Sequence, residues 1–292
     1  MSSIIPEMEQ FYKVVEDDAL RGLLEAADVL RDDINRKRPL EGDLWAVVEE
    51  KLLVEWTYNS NAIEGSTLTQ GETLFFLKHG LTVEGKPFKD FLDAKNHAEA
   101  IQFLYDVVKQ QRPISPGLIK EFNALLLSGV RKTPAIDRYG NRTEKEATPG
   151  EYKKYPNHVL QPDGSIHKYV DPVHVPAEIE FLTRWVEENI KSIHPIIIAT
   201  VAHYNLVRIH PFDDGNGRGA RLFMNLTLIR QGFPPAIIKN EHRRKYIDAL
   251  SRADSGDIQG FVLFVAEACV DTLRSINDIL RLKADPPRRT EG

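Results

Sequence analysis

Residues 209–221 read Ile209-His210-Pro211-Phe212-Asp213-Asp214-Gly215-Asn216-Gly217-Arg218-Gly219-Ala220-Arg221. One helical pattern ends before this stretch, a glycine-rich turn follows, and a second helical pattern begins inside it. A turn that opens a helix presents unpaired backbone N–H groups at the positive end of the helix dipole, which makes an anion site. Gly215 and Gly217 let the backbone take left-handed angles and come close to a ligand, and Asn216 between them tolerates such angles and adds an amide donor. Arg218 and Arg221 fall on one helical turn and can address the same anion. Asp213 and Asp214 beside a phosphate suit Mg²⁺, which is held by one or two carboxylates together with phosphate oxygens. His210 stands at the rim, and an imidazole with its ordinary pKa of about 6.5 suits a general base. Phe212 is expected to plug the core and fix the turn. Together these residues form a nucleotide phosphate cradle with a cation and a base, the equipment of phosphoryl or nucleotidyl transfer.

Outward from this stretch the chain is dominated by helical periodicity. Toward the N-terminus, residues 9–35 are charged and weakly amphipathic. Trp45, Val48, Leu52 and Trp56 recur at steps of three and four and predict a helix running toward Asn59-Ser60-Asn61, where polar residues disfavour continuation and Gly65 offers a stop. Thr69 to Glu72 has capping-box spacing ahead of Leu74-Phe75-Phe76-Leu77, and Gly80 closes that helix. Residues 88–110 are helical by pattern, and Ser115-Pro116 caps another helix to about Leu127. From Gly129 to Pro172 the helical period is lost, as expected of a long functional loop. Within it, Val159-Leu160 and residues 166–170 flank Gln161-Pro162-Asp163-Gly164-Ser165, the one place where the pattern predicts strands, as a hairpin. Helices resume after Pro176 and after His194-Pro195. Further ones are expected from Leu222 up to Gly232, around Tyr246 to Leu250, and from Ile258 to about Leu282, before a fraying tail over 285–292.

Composition narrows the class. The 292 residues are 42% hydrophobic and 28% charged, ordinary for a soluble globular chain. Lys and Arg total 38 against 43 Asp and Glu, a net charge of -5, which disfavours a general nucleic-acid binder. The single Cys269 excludes a disulfide framework and a cysteine-rich metal site. The apolar run Ile196 to Ala202 is too short to span a membrane, and the N-terminus lacks a basic, apolar leader, so a cytoplasmic protein without membrane partners is expected. A P-loop is absent. His203, two helical turns before His210, lacks the H-E-x-x-H context of a metal hydrolase and is expected as a buried helix residue. His242-Arg243-Arg244-Lys245 is expected as a solvated helix face.

Residues 210–221 match H-P-F-x-[D/E]-G-N-G-R-x-x-R at every fixed position and in this resemble the Fic family. The similarity extends from about Ser60 to Phe264 and includes His194-Pro195, the His203 helix, Gly232-Phe233-Pro234-Pro235 and Tyr246 to Asp257. The resemblance implies an all-α Fic fold with a small β-hairpin flap over the active site, and transfer of AMP from ATP to a hydroxyl of a protein, which can be the chain itself. It implies that His210 deprotonates the target hydroxyl. Asp214 would hold Mg²⁺, with Asp213 in the variable position. Asn216 and the backbone of Gly215 and Gly217 would form the anion hole, while Arg218 and Arg221 would hold the β- and γ-phosphate regions. Tyr246 and Asp254 fall where the family builds its adenine pocket, the hairpin around Val159 to Ile166 would be the flap, and a homodimer is implied by the family. The corresponding division of the chain is an N-terminal helical region over 1–110, a catalytic core over 111–264 and a C-terminal helix and tail over 265–292.

A second resemblance concerns control. Ser60-Asn61-Ala62-Ile63-Glu64-Gly65 fits [S/T]-x-x-x-E-[G/N], the family's inhibitory motif, here of the N-terminal (class II) type. Ser60 and Glu64 are four apart and share a helical face. A carboxylate aimed at Arg221 would compete with the γ-phosphate for one guanidinium, leaving the transferase off at rest. Two other functions stay open on the same residues: a phosphodiesterase that removes AMP from a protein, with Glu64 positioning a water, and a nucleotide-sensing regulatory module.

Overall fold

A computed structural model describes residues 10–37, 42–136, 141–160 and 166–284. After a 3₁₀ turn at Gln10–Tyr12, the elements run α1 (Asp18–Arg36), α2 (Gly42–Ile63), α3 (Gln70–His79), α4 (Phe88–Lys109), α5 (Pro116–Leu126), β1 (Lys132–Ile136), β2 (Arg142–Glu146), β3 (Val159–Leu160) and β4 (Ile166–His167). They continue with α6 (Val175–Asn189), α7 (Pro195–Ile209), α8 (Asn216–Arg230), a 3₁₀ turn at Asn240–His242, α9 (Arg243–Asp254) and α10 (Gln259–Ala284). The fold is all-α with small antiparallel hairpins.

Local chemistry accounts for the helix ends. Ser115 accepts the Leu118 N–H with Pro116 in the first helical turn, Thr69 and Glu72 form a complete capping box, and Gly80 ends α3 at φ 69°. At α2 the outcome differs from the expectation. The helix does not stop at Asn59-Ser60-Asn61 but runs through to Ile63, and the chain turns at Gly65, φ 100°. The reason is that these polar groups find partners inside. Asn59 Nδ2 donates to Glu55 O at 2.8 Å, Asn61 Nδ2 donates to Thr57 O at 2.9 Å, and Asn59 Oδ1 accepts the Asn240 N–H at 2.8 Å. The α9 and α10 helices also extend beyond the expected limits, while the tail over 285–292 lies outside the described residues.

Two hairpins occupy the long loop. The β3–β4 pair, Val159 against His167 and Leu160 against Ile166, is the expected one, although its turn lies outside the described residues. It ends at His167 rather than 170, because Tyr169 donates its N–H to His158 Nδ1 at 3.2 Å and turns its ring onto His210. The β1–β2 hairpin, with Lys132 against Glu146 and Ile136 against Arg142, was not expected. One strand carries Pro134 and the other is Arg-Thr-Glu-Lys-Glu, so neither has an apolar alternation to read; Pro134 is tolerated because a two-stranded ribbon has free edges.

The apolar core is continuous from Tyr12 to Leu280 and draws on all three expected segments. At its centre α7 buries Ile196 through Leu206 without interruption and packs against α6, α8 and α10. Helix α8 lies in turn against α2, α4 and α5, so the first turn of α8 is ringed by helices that come from far upstream. Among the described residues no helix is long and apolar enough to cross a membrane.

Candidate active site

The loop between α7 and α8 is held from every side. His210 closes α7 in the left-handed region, φ 50°, with its N–H on Leu206 O at 3.1 Å. The Asn216 side-chain amide holds Phe212 at both backbone groups: Nδ2 donates to Phe212 O at 2.8 Å and Oδ1 accepts the Phe212 N–H at 2.9 Å. Phe212 itself is buried, as the sequence suggested. Asn123 of α5 donates to Asp214 O at 2.9 Å and accepts the Gly150 N–H at 2.9 Å. Asn157 donates to Phe212 O at 2.9 Å, and Lys153 donates its backbone N–H to Pro211 O at 2.8 Å and Nζ to Asn157 Oδ1 at 2.7 Å. Gly215 caps α8 at φ 78° with Asn123 Nδ2 too near for an added Cβ to sit easily, and a Cβ on Gly217 would collide with Glu64 Oε1.

The first intrahelical acceptor of α8 is Gly215 O, which takes the Gly219 N–H at 2.8 Å. The N–H groups of Asn216, Gly217 and Arg218 therefore face outward, which makes the anion site a backbone one. Asn216 adds its backbone N–H to it, while its side-chain Oδ1 and one Nδ2 hydrogen are committed to Phe212.

His210 has one edge in use. Nδ1 lies 3.3 Å from Val207 O, a carbonyl that only accepts, so Nδ1 carries the proton and Nε2 keeps its lone pair. The ring stacks on Tyr169 with centroids 3.7 Å apart at 18°. Burial, followed by the nearby charge of Lys153, pushes its pKa down to about 3, so the imidazole is neutral at ordinary pH. Lys153, itself buried, is pushed down to about 8 by desolvation.

The two arginines are buried and each meets a carboxylate from a distant segment of the chain. Arg221 donates Nε to Ser60 Oγ at 2.9 Å, Nη2 to Ser60 O at 2.8 Å and Nη2 to Glu64 Oε1 at 2.7 Å, across 157 residues. Desolvation beside the buried guanidinium would raise the Glu64 carboxyl, although its side chain is 44% exposed, but the charge and hydrogen bond of Arg221, with a smaller pull from Arg218, hold it below the usual range. Arg218 donates Nη1 to Asp93 Oδ1 of α4 at 2.7 Å, and its Nη2 lies 3.7 Å from Asp214 Oδ1. Neutral histidines surround these cations. His203 and His97 are fully buried, and desolvation followed by the arginine charges holds both well below their ordinary pKa.

Tyr246 lies in the interior. Its hydroxyl accepts from Arg221 Nη1 at 3.4 Å and lies 3.0 Å from His203 Nε2, and the residue is buried behind the guanidinium. Asp254, at the other end of α9, does reach the flap. Its Oδ1 accepts from Tyr204 OH at 3.3 Å, Oδ2 lies 3.8 Å from His167 Nδ1 of β4, and burial raises its pKa. Asp213 is tied to Lys145 of β2 and is only 9% exposed, whereas Asp214 is 28% exposed and has only Oδ1 engaged, by the Gly215 N–H at 2.6 Å. No group of three or more His, Cys, Asp or Glu able to hold a metal occurs among the described residues. The set does fit a cation that takes one carboxylate here and its other ligands from phosphate and water.

The sequence reading missed Asp93, His97, Asn123, Lys153, Asn157 and Tyr169. A signal existed for two of them. Asp93 and His97 fall in phase with Ile101 and Leu104 on the apolar stripe of α4, so a charge and an imidazole on that stripe mark a buried polar site. For the others the spacing carries none.

Residues 113–228 match the Fic/DOC family. The chain is similar to protein adenylyltransferase fic-1 of Caenorhabditis elegans, 31% identical over 250 residues, covering 85% of this chain and 45% of that protein. It is likewise similar to protein adenylyltransferase Fic of Drosophila melanogaster, 31% identical over 251 residues, 86% of this chain and 47% of that one. It thus spans about half the length of the curated relatives it matches. Among solved structures, a Fic domain containing signaling protein from Bacteroides thetaiotaomicron superposes with a TM-score of 0.75 at 27% identity over 90% of this chain and 97% of that one. Fic-1 from C. elegans superposes with a TM-score of 0.76 at 28% identity, over 90% and 73%.

Proposed function

We propose that this chain, which belongs to the Fic/DOC family, transfers AMP from ATP to a hydroxyl side chain of a protein and is held off at rest by Glu64. The observation that carries this reading is the Arg221–Glu64 pair. The guanidinium beside the outward N–H groups of α8 is already bound by an anion of the chain itself.

In this reading the ATP phosphates lie on the first turn of α8, with Arg221 and Arg218 as the charged donors. His210 Nε2 takes the proton of the target hydroxyl, whose oxygen then bonds to the α-phosphorus as the bond to pyrophosphate breaks. Mg²⁺, arriving with ATP, would neutralise phosphate charge from Asp214. The Tyr169 ring fixes the imidazole plane, and the loop contacts of Asn216, Asn157 and Lys153 keep His210 in register with α8. The exposed β3–β4 edge, with Val159 and Ile166 outward, offers a strand to which a target segment can add.

Intact-protein mass spectrometry after incubation with ATP and Mg²⁺ tests this, comparing the unaltered chain, Glu64→Gly, and Glu64→Gly with His210→Ala. An AMP adduct on the second alone, or on a protein added with it, is expected. Transfer that survives His210→Ala would sink the reading. A second reading, removal of AMP from a protein, is favoured by the Glu64 carboxylate standing over Gly217 in the first turn of α8, where it would hold a water. It predicts the opposite effect of Glu64→Gly, a loss of phosphodiester cleavage.

A further inference from the structure

Arg218 lies between two carboxylates. Nη1 donates to Asp93 Oδ1 at 2.7 Å, and Nη2 stands 3.7 Å from Asp214 Oδ1. The Arg218 and Asp93 side chains are 4% and 7% exposed, in the interior between α4 and α8. The second oxygen of Asp93 is taken by Lys89, one turn earlier on α4. Asp93 belongs to neither motif in the sequence and lies 125 residues before its partner.

We propose that Asp93 is a positioning residue that holds the Arg218 guanidinium off Asp214 and so leaves that carboxylate open to the divalent cation accompanying ATP. The inference rests on the function proposed above. A guanidinium carries five donors in a planar fork and engages a carboxylate best through two parallel bonds. With Asp93 present, one arm of that fork is fixed toward α4 and the Asp214 contact stays long. Without it, Asp214 is the nearest anion and the 3.7 Å contact closes into a full pair. Asp214 would then be a poor ligand, because its oxygens face an arginine instead of the phosphates. Asp93 also cancels most of the Arg218 charge, leaving Arg221 as the stronger phosphate donor.

These two effects have opposite signs, which separates positioning from packing. Neutralising Asp93 removes one negative charge from the site, whichever carboxylate Arg218 then faces, so ATP without metal binds as well or better. The gain that the metal adds should shrink, because Asp214 is occupied. A residue that only supported the fold would weaken both.

Calorimetry of a non-hydrolysable ATP analogue binding to the full chain carrying Glu64→Gly tests this, once with EDTA and once with Mg²⁺. The ratio of the two affinities is the metal enhancement. Adding Asp93→Asn is expected to lower that ratio about tenfold, as loss of an outer partner of a metal ligand does, with metal-free affinity equal or higher. An unchanged ratio, or an equal fall in both affinities, overturns the proposal. Lys89, 58% exposed, gives a second variant that spares the interior. In Lys89→Met both Asp93 oxygens are free for Arg218, so metal-free affinity should fall and the ratio should rise; no change in either overturns the proposal and decides the matter if Asp93→Asn does not fold. A parent chain with no metal enhancement at all instead sinks the function proposed above, and this inference with it.

Discussion

Arg218 and Arg221 are three residues apart on α8, equally buried, and each is bound at 2.7 Å by one carboxylate from a distant segment of the chain. The carboxylates differ. Asp93 sits in the middle of α4, 7% exposed, with Lys89 as a second partner. Glu64 sits just past the end of α2, on a glycine-stopped turn, 44% exposed. The same ion-pair chemistry thus sits in the interior in one place and at a part-exposed turn in the other. In the function proposed above, ATP displaces Glu64 from Arg221 while Asp93 stays with Arg218. Location in the fold, not the pair itself, makes that difference.

The largest effect should fall on stability. Asp93→Ala leaves a buried guanidinium without its main partner and should cost about 3–5 kcal/mol in urea unfolding, against about 1 kcal/mol for Glu64→Ala, whose place water can take. A larger loss for Glu64→Ala would break the comparison. Next is activity, where the two variants should differ in sign. Glu64→Gly should raise AMP transfer up to about a hundredfold, within the range of ordinary coupling energies, whereas Asp93→Ala should lower it; activation by Asp93→Ala would make both carboxylates blockers.

Acid sharpens the same contrast. His97, His203 and His210 are neutral in the folded chain, with pKa values depressed below the unfolded value of about 6.5. The stability they contribute is complete above that pH. As pH falls below it, the unfolded chain gains protons that the folded chain refuses, so about 1.4 kcal/mol per pH unit is lost for each. For His210 this loss continues down to a pH of about 3. Glu64 is depressed from its own lower value, so its link to Arg221 persists until the medium is more acidic than an ordinary carboxyl requires. Between pH 7 and about 5 urea midpoints should therefore fall, while the ratio of transfer by Glu64→Gly to transfer by the unaltered chain stays constant. A ratio that collapses in that window would mean that the Arg221 contact loosens before Glu64 titrates. The smallest effect is that of salt. The part-exposed Glu64 pair should lose a few tenths of a kcal/mol, about what screening removes from a surface pair, and the Asp93 pair should lose none.

The helices were legible where caps and apolar steps were local, as at Thr69 to Glu72 and Ser115-Pro116. The end of α2 was not, because whether Asn59 and Asn61 break a helix depends on what lies beside them, and here Asn240 of a distant turn takes one amide. The hairpin β1–β2 was invisible for a related reason: its strands are held by backbone pairing, with no apolar face of their own. In the site, the placement of His210, Gly215, Arg218 and Arg221 was readable because all four lie within a dozen residues on one turn and the helix it opens. For Tyr246 the spacing did not decide, because an aromatic at helical spacing reads the same whether it lines a pocket or lies buried behind an arginine.

The sequence by itself determined a glycine-rich turn that opens a helix, a histidine before it, two arginines on the helix's first turns, and a carboxylate four residues after Ser60, since all of these follow from spacing along one helix or turn. Only the tertiary structure decided which anion each arginine meets. That choice joins residues 125 and 157 positions apart, and a contact at such separation is set by how α2 and α4 pack around α8, which no local periodicity encodes.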